Sequence, residues 1–185
     1  EEGYSEDPYM CSRIAEAIVE ATQGKDLTAP DKTVAGLCHY PGQSQPASGL
    51  ERGAMEISER MLREVFLPPW VAGIKGRGAL GVMATYPAID GVPAHGSDWI
   101  LTKILRDELG FKGLVLGEGS GLTTLVYEKI AEDQKDAGIQ CLRAGVDVGI
   151  SHEPAYMLDL VAAVQEGKAP MALIDRAVRR ILTQK

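Results

Sequence analysis

The hydrophobic positions of this chain fall into short apolar runs separated by longer stretches with helical periodicity. Runs of four to eight apolar residues bounded by turn signals have the length of buried strands. The predicted strands are Thr33 to Leu37, Leu80 to Ala84, Leu114 to Leu116, and Val146 to Ile150. Strand and helix alternating along one chain is typical of an α/β protein with a parallel sheet and right-handed crossovers.

Capping residues mark the helices between these strands. Asp7 and Pro8 suit the start of the first helix, and Gly24 suits its end. Ser58 and Ser97 suit the starts of the next two helices, with Pro68 and Pro69 breaking the earlier one and Gly110 closing the later one. The first helix is expected to bury the face formed by Met10, Ile14, Ile18 and Ala21. Further helical patterns cover residues 133–143, 155–165 and 171–183.

Two architectures fit four βα units in a single domain of residues 1–185. One is a small open doubly wound sheet, and the other is half of a (β/α)₈ barrel. A complete barrel needs about 250 residues, so the 185 residues of this chain supply about half of one. No low-complexity segment divides the chain into smaller units.

Composition narrows the function only slightly. The 45% hydrophobic content is that of a globular protein, and the net charge of −7 argues against nucleic acid or an anionic membrane as the main partner. No apolar run reaches the roughly 20 residues of a membrane span. No signal peptide is recognisable, and both a cytoplasmic and a periplasmic location stay open. The three cysteines have no CxxC spacing, and no HxH or HExxH pattern predicts a metal.

The segment GFKGLVLGEGSG, residues 110–121, is the strongest sign of chemistry in the chain. It runs from the end of a helix through a strand into a glycine-rich turn, with Glu118 at the carboxyl end of the strand. Catalytic groups of α/β proteins lie at that end of the sheet. Gly117 and Gly119 leave the carboxylate accessible to a substrate.

The other predicted strands also end in polar side chains. The first ends in Cys38, His39 and Tyr40, the second in Thr85 and Tyr86, and the fourth in Ser151 and His152. In a parallel sheet these ends face one rim, so we expect the side chains to surround one mouth together with Glu118. This grouping predicts a binding site.

Longer motifs resemble glycoside hydrolase family 3, the β-glucosidase family. YSEDPYM is similar to the family's GEDPY segment, and ISERMLREVFLPPW to its S-E-R-x-L-R-E-x-Y-L-P-P-F helix. GVMATYPAIDGVPAH and LTKILRDELGFKGLVLGE are similar to its V-M-x-x-Y-N-x-I-D-G-x-P and L-T-x-I-L-R-x-E-x-G-F-x-G-x-V-x-S-D segments. AGVDVGI and LIDRAVRRIL are similar to its closing barrel elements. The resemblance covers the second half of the family's TIM-like barrel and implies that earlier strands would precede Glu1.

The resemblance implies roles for particular residues. The aspartate nucleophile of the family's S-D pair aligns with Glu118, whose side chain is one methylene longer. The family also has a Lys-His pair that binds sugar hydroxyls. Its lysine aligns with Cys38, so only the histidine, His39, is present in this chain. Met83 and Tyr86 match residues that line the sugar subsite, and Tyr86 would orient the nucleophile. We expect His39, Tyr86, Met83, Cys38 and His152 to contact substrate, with no cofactor and no metal.

Retaining hydrolysis requires a second carboxyl-type group, and the sequence offers His152, Glu153 and Glu51 as candidates. A half barrel also has two open sheet edges, so we expect a homodimer that closes eight strands around a shared rim. The predicted function is hydrolysis of β-glucosides or related small β-glycosides with retention. The alternatives are a catalytically impaired sugar-binding or structural half barrel, and an unrelated doubly wound binding domain.

Overall fold

Four parallel strands form the main sheet of the structure, a computed structural model that describes residues 3–43 and 45–185. The strands are β1 (Gly36–Tyr40), β3 (Gly81–Ala84), β6 (Leu114–Gly117) and β7 (Val148–Gly149), in the order β1-β3-β6-β7. All three neighbouring pairs are parallel. The predicted α/β class with a parallel sheet is therefore confirmed.

The predicted strands differ from the observed ones mainly at the two edges of the sheet. β3 and β6 lie where the apolar runs predict them. The predicted strand Thr33 to Leu37 was wrong in position, because β1 begins at Gly36 and includes Cys38 and His39. Gly36 pairs with Gly81, where an added Cβ would come within 3.0 Å of the Ala35 carbonyl oxygen. Gly81 thus allows the close approach of β1 and β3 at this pair, a signal that β-branched content does not carry.

A small second sheet brings a further segment beside the main one. It contains β2 (Ala54–Met55), β4 (Ala88–Ile89) and β5 (Val92–Pro93), with β4 between the other two. Asp90 and Gly91, both at positive φ, turn β4 into β5 as a two-residue hairpin. Strands of two residues leave no periodic signal, so the sequence did not predict this sheet.

Helices cover the segments between the strands. The α-helices are α1 (Pro8–Gln23), α2 (Glu59–Met61), α3 (Pro68–Val71), α4 (Thr124–Tyr127), α5 (Gln134–Ala144), α6 (Leu158–Gln165) and α7 (Met171–Gln184). Leu62–Phe66, Ala72–Gly76 and Trp99–Glu108 are wound as π-helix, and Ala94–Gly96 and Pro154–Tyr156 as 3₁₀-helix. No helix among the described residues has the length and apolarity to cross a membrane.

The predicted caps hold, but one predicted helix face does not. Asp7 accepts the Tyr9 N–H at 2.8 Å, and Ser58 accepts the Met61 N–H at 3.2 Å. On α1, however, Val19 is buried whereas Met10 is 49% exposed, so the predicted face containing Met10 was wrong. Leu37 of β1 lies beside Gly73, close to Val19. The side of α1 that contains Val19 therefore packs toward the sheet.

The two faces of the main sheet are buried to different extents. Residues paired across parallel strands share a face. Val82 and Val115 are paired and fully buried in the main core, between the sheet and the helices. On the other face Met83, Leu116 and Val148 are aligned, and all three are only partly buried. The sheet therefore has one apolar face that the described residues do not fully cover.

Candidate active site

Glu118 lies directly after β6, at the carboxyl end of the parallel strands. Its Oε2 makes a short contact with Nε2 of His39 in β1, two strands away in the sheet. The side chains of both residues are largely buried, with exposed fractions of 16% and 11%. The structure thus brings together an imidazole and a carboxylate that are far apart in the sequence, as the common rim predicts.

The second oxygen of the carboxylate is held by the turn itself. Oε1 of Glu118 accepts the N–H of Gly119 at 2.7 Å. Ser120 follows at φ 57, and its N–H donates to Oγ of Ser151 at 3.0 Å. The carboxylate is consequently oriented through both oxygens, and its turn is fixed to the loop that follows β7.

Tyr86 closes the site from β3. Its hydroxyl donates to the Gly119 carbonyl oxygen at 2.6 Å. Burial raises the pKa of Tyr86 to about 12, and the negative charge of Glu118 acts in the same direction, while Arg52 opposes it. The phenol is therefore a neutral hydrogen-bond donor beside the carboxylate throughout the physiological pH range.

Arg52 supplies a positive charge that the sequence analysis did not assign to the site. Its guanidinium carbon lies 4.1 Å from the centroid of the Tyr86 ring, and Nη2 donates to the Gly119 carbonyl oxygen at 3.1 Å. Stacking of a guanidinium on an aromatic face is a favourable cation–π arrangement. The residue precedes β2 in a polar loop without periodicity, so only its charge near the first strand could have indicated it.

His95 is the second residue that the sequence analysis missed. It follows the hairpin of the small sheet, is fully buried, and accepts the Glu118 N–H on Nε2 at 3.0 Å. Burial lowers the pKa of His95 to about 3, and the charges of Arg52 and His39 add to the effect. The imidazole is therefore neutral, as an acceptor on Nε2 requires.

The remaining predicted site residues, Cys38, Met83 and His152, differ in exposure and in their place on the sheet. Cys38 is exposed in β1, joined to His39 by a cis peptide bond. Met83 lies on the partly covered face of the sheet, paired with Leu116. His152 is exposed, and it is the neighbouring Ser151 that reaches the turn of Glu118.

The candidates for a second carboxyl-type group are in different environments. Glu51 is exposed and accepts from Gln43 Nε2 at 3.3 Å, and its charge contributes to the raised pKa of Tyr86. Glu153 is buried, and its Oε2 accepts both the N–H and the hydroxyl of Thr123 at 2.8 Å. Glu153 therefore anchors the chain after Glu118, whereas Glu51 is exposed to solvent.

A cleft of about 740 Å³ runs along the β1 edge of the sheet. It is bounded by α1, β1 and the helical residues 61–70. Its lining includes Cys38, His39, Leu37, Phe66 and Trp70. Within residues 3–43 and 45–185, no group of three or more His, Cys, Asp or Glu residues is arranged to hold a metal ion.

Comparison with known proteins places this arrangement in one family. The model of the glycosyl hydrolase family 3 N terminal domain matches residues 1–184. A β-xylosidase from Formosa agariphila is 38% identical over the whole chain, and the lysosomal β-glucosidase of Dictyostelium discoideum is 36% identical. The chain spans about a quarter of the length of these relatives, 27% and 23% respectively.

Solved structures agree with the sequence comparisons. The β-glucosidase of Erythrobacter marinus superposes with a TM-score of 0.90 at 33% identity, over 95% of this chain and 24% of that one. A D270A mutant β-glucosidase from Listeria innocua, in complex with laminaribiose, gives 0.91 at 29% identity, over 97% of this chain and 25% of that one. The parallel-sheet fold, the rim carboxylate and these matches together show that the chain belongs to glycosyl hydrolase family 3.

Proposed function

We propose that this chain carries the nucleophile of a retaining β-glycosidase that acts on β-glucosides or related small β-glycosides. The observation that carries the proposal is Glu118, a carboxylate at the carboxyl end of β6 that is oriented by His39 and by its own turn. The names of the relatives, β-xylosidase and β-glucosidase, support this class of substrate.

In the proposed reaction Glu118 attacks the anomeric carbon and the leaving group departs with a proton from a second group. Water then hydrolyses the glycosyl-enzyme ester, which restores the carboxylate and retains the configuration. The hydrogen bond from Gly119 orients one carboxylate oxygen, and the longer side chain of glutamate reaches the sugar from a glycine-flanked turn. Tyr86, neutral and beside the carboxylate, donates its single O–H proton to the Gly119 carbonyl oxygen and so holds the turn that carries Glu118.

The proton donor is a separate part of the proposal. Glu153 is only 4% exposed and its Oε2 accepts two hydrogen bonds from Thr123, so burial separates its carboxyl group from a substrate. Glu51 is exposed, and it is close enough to Tyr86 for its charge to act on the phenol. We therefore propose Glu51, rather than Glu153 or His152, as the acid supplied by this chain.

We further propose that the sheet is the second half of a (β/α)₈ barrel and that two copies close it. β1 and β7 are the edges of the main sheet in the described part of the chain, and one sheet face is apolar but only partly covered. A two-fold axis along the barrel pairs β1 of each copy with β7 of the other, which keeps all eight strands parallel. Such a dimer places a second Glu118 on the same rim, where it is a further carboxyl group for the reaction.

A second candidate function is a sugar-binding or structural half barrel without turnover. The observation that favours it is Cys38, which stands where the family resemblance places a sugar-binding lysine. Without that ammonium the site loses a charge-assisted hydrogen bond to the sugar, worth about 1.5–3 kcal/mol. This candidate predicts saturable sugar binding with no hydrolysis.

Hydrolysis of a panel of nitrophenyl β-glycosides tests the proposal, with a Glu118→Gln variant purified in parallel. We expect the parent to release nitrophenol and the variant to be slower by on the order of 10⁴-fold or more. Equal rates in the two proteins would place the activity elsewhere. Absence of turnover in both, with sugar binding by calorimetry, would favour the second candidate.

A further inference from the structure

A buried imidazole outside the proposed chemistry touches the nucleophile's own backbone. His95 lies in the 3₁₀ segment Ala94–Gly96 and has no exposed surface. Its Nε2 is 3.0 Å from the amide nitrogen of Glu118, which donates the hydrogen bond. Because a backbone N–H donates, Nε2 must be unprotonated, and the neutral ring carries its proton on Nδ1.

The imidazole ring of His95 packs closely against the glycine-rich turn that contains Glu118. A Cβ at position 121 would lie 2.2 Å from Nε2 of His95, so Gly121 is the residue that admits the ring. A Cβ at Gly117 would instead come within 2.7 Å of Leu122 Cδ1 and would lie at an ordinary contact distance of 3.7 Å from the ring carbon Cδ2. Gly121 is therefore the glycine of this turn that lets the imidazole approach the backbone of Glu118.

The contact differs from the other bonds that hold this turn. Tyr86 and Arg52 bind the carbonyl oxygen of Gly119, and Ser151 binds the N–H of Ser120. His95 alone among these four side chains bonds the backbone of Glu118 itself. The acceptor also stays available in acid, because burial keeps the ring neutral well below the pH at which an exposed histidine becomes charged.

We propose that His95 is a positioning residue for the nucleophile: its neutral Nε2 fixes the amide of Glu118 and thereby the direction in which the carboxylate leaves the strand. The inference rests on the proposed role of Glu118. A displaced carboxylate still allows the sugar to bind but attacks the anomeric carbon less often. The loss should therefore fall on kcat and leave KM nearly unchanged.

Two substitutions at this position separate positioning from bulk packing. In His95→Leu the acceptor is lost, and we expect kcat to fall on the order of 10²-fold. In His95→Gln the side-chain carbonyl oxygen replaces Nε2, and we expect most of kcat to return.

A substitution in the turn tests the same contact from the other side. Gly121→Ala displaces the ring, so we expect its kcat to fall as in His95→Leu. Gly76→Ala is the matched control, because its Cβ meets only the flexible carboxylate of Glu16. Equal kcat in the Leu and Gln variants, or a change confined to KM, would overturn the proposal.

A spectroscopic measurement tests the contact without any turnover. In long-range ¹H–¹⁵N spectra of the whole chain, His95 should show the tautomer protonated on Nδ1, unchanged from pH 8 to pH 5. The Glu118 amide should exchange slowly with solvent in the parent and rapidly in His95→Leu. A proton on Nε2, or fast exchange of the Glu118 amide in the parent, would contradict the proposal. An inactive parent with the expected spectra would instead count against the glycosidase function.

Discussion

The positive charge around the candidate sugar site is arranged differently from what the family resemblance implies. Cys38 stands where a lysine is expected, directly before His39 in β1. The cation near the carboxylate is instead Arg52, stacked on Tyr86 and bonded to the Gly119 carbonyl oxygen. A guanidinium held in this way stabilises the turn and the position of the phenol, so it is less available than a lysine to hydrogen-bond a sugar hydroxyl.

Restoring the ammonium should strengthen sugar binding. In Cys38→Lys we expect KM for a nitrophenyl β-glucoside to fall about tenfold or more, since a charge-assisted hydrogen bond contributes about 1.5–3 kcal/mol. Initial-rate kinetics of parent and variant measure the change. Cys38→Ala is the control, because it removes the thiol without adding charge and should leave KM close to that of the parent. A Cys38→Lys variant with unchanged KM would show that position 38 does not contact the sugar.

The neutral state of His95 also makes the folded protein sensitive to acid. The pKa of His95 is lowered to about 3 in the fold, chiefly by burial, from 6.5 for a free histidine. Between those values the histidine of the unfolded chain binds a proton and that of the folded chain does not. The contribution of the neutral His95 to the free energy of unfolding is therefore fully present above pH 6.5 and is lost as the pH falls toward 3.

A comparison of parent and His95→Gln isolates this effect. We expect the free energy of unfolding of the parent to decline more steeply with falling pH than that of the variant. The difference in slope approaches about 1.4 kcal/mol per pH unit near pH 5. Urea unfolding at pH 8, 6.5 and 5 measures it. Parallel pH dependences in the two proteins would mean that His95 accepts a proton in the folded state.

Among the elements, β7 is joined to the helices by a buried ion cluster. The side chain of Asp147, just before β7, is fully buried, and its two oxygens each contact an arginine at 2.7 Å, Arg106 and Arg180. Oδ2 also accepts the N–H of Val115 in β6 at 3.0 Å. One carboxylate thus ties the starts of two strands to the π-helix Trp99–Glu108 and to α7.

Removing that charge should be among the most destabilising changes in the chain. Asp147→Asn removes the fully buried charge and leaves two partly buried guanidinium groups without their counter-charge, and we expect a loss of about 3 kcal/mol in the free energy of unfolding. Denaturant unfolding at pH 7 measures it, with Asp175→Asn on the exposed side of α7 as the control. A loss below about 1 kcal/mol would show that the cluster contributes little to stability.

The sequence predicts elements better than it predicts the contacts between them. β3, β6 and the capped ends of α1 follow from local apolar runs and capping side chains, which depend only on neighbouring residues. Glu118, His39 and Tyr86 follow from the rule that parallel strands end at one rim. His95 and Arg52 could not be predicted in this way, because each contacts the turn from a segment without periodicity that is placed by the two-residue strands of the small sheet. The buried face of α1 was also set by Leu37, a contact distant in sequence.

At the scale of the molecule, one face and one edge of the main sheet are only partly covered by the described residues. Its partly covered face presents Met83, Leu116 and Val148, and a cleft of about 740 Å³ follows the β1 edge. A sheet edge beside partly covered apolar surface favours association with another strand. A second copy that offers its β7 edge satisfies both edges at once, which is the basis of the proposed dimer.

Light scattering tests the dimer directly. We expect the parent to have twice the mass of the chain at micromolar concentration. Leu116→Glu should be monomeric, because it places a charge on the face that the second copy covers in the proposed dimer. Tyr127→Glu, at a side chain that is 71% exposed on α4, is the control and should remain dimeric. A monodisperse, well-folded parent monomer would remove the dimer, and with it the second Glu118 on the rim.

The central claim, that Glu118 is the nucleophile, is tested most directly by trapping the covalent intermediate. A 2-deoxy-2-fluoro-β-glucoside with a dinitrophenyl leaving group forms the glycosyl-enzyme and hydrolyses slowly, because fluorine destabilises the oxocarbenium-like transition state. Trypsin releases residues 113–129 as one peptide, in which Glu118 and Glu128 are the only carboxylate side chains. We predict one fluorosugar on this peptide, assigned to Glu118 by fragmentation and absent from Glu118→Gln. A fluorosugar on another carboxylate, or none on a chain that hydrolyses β-glucosides, would contradict the account.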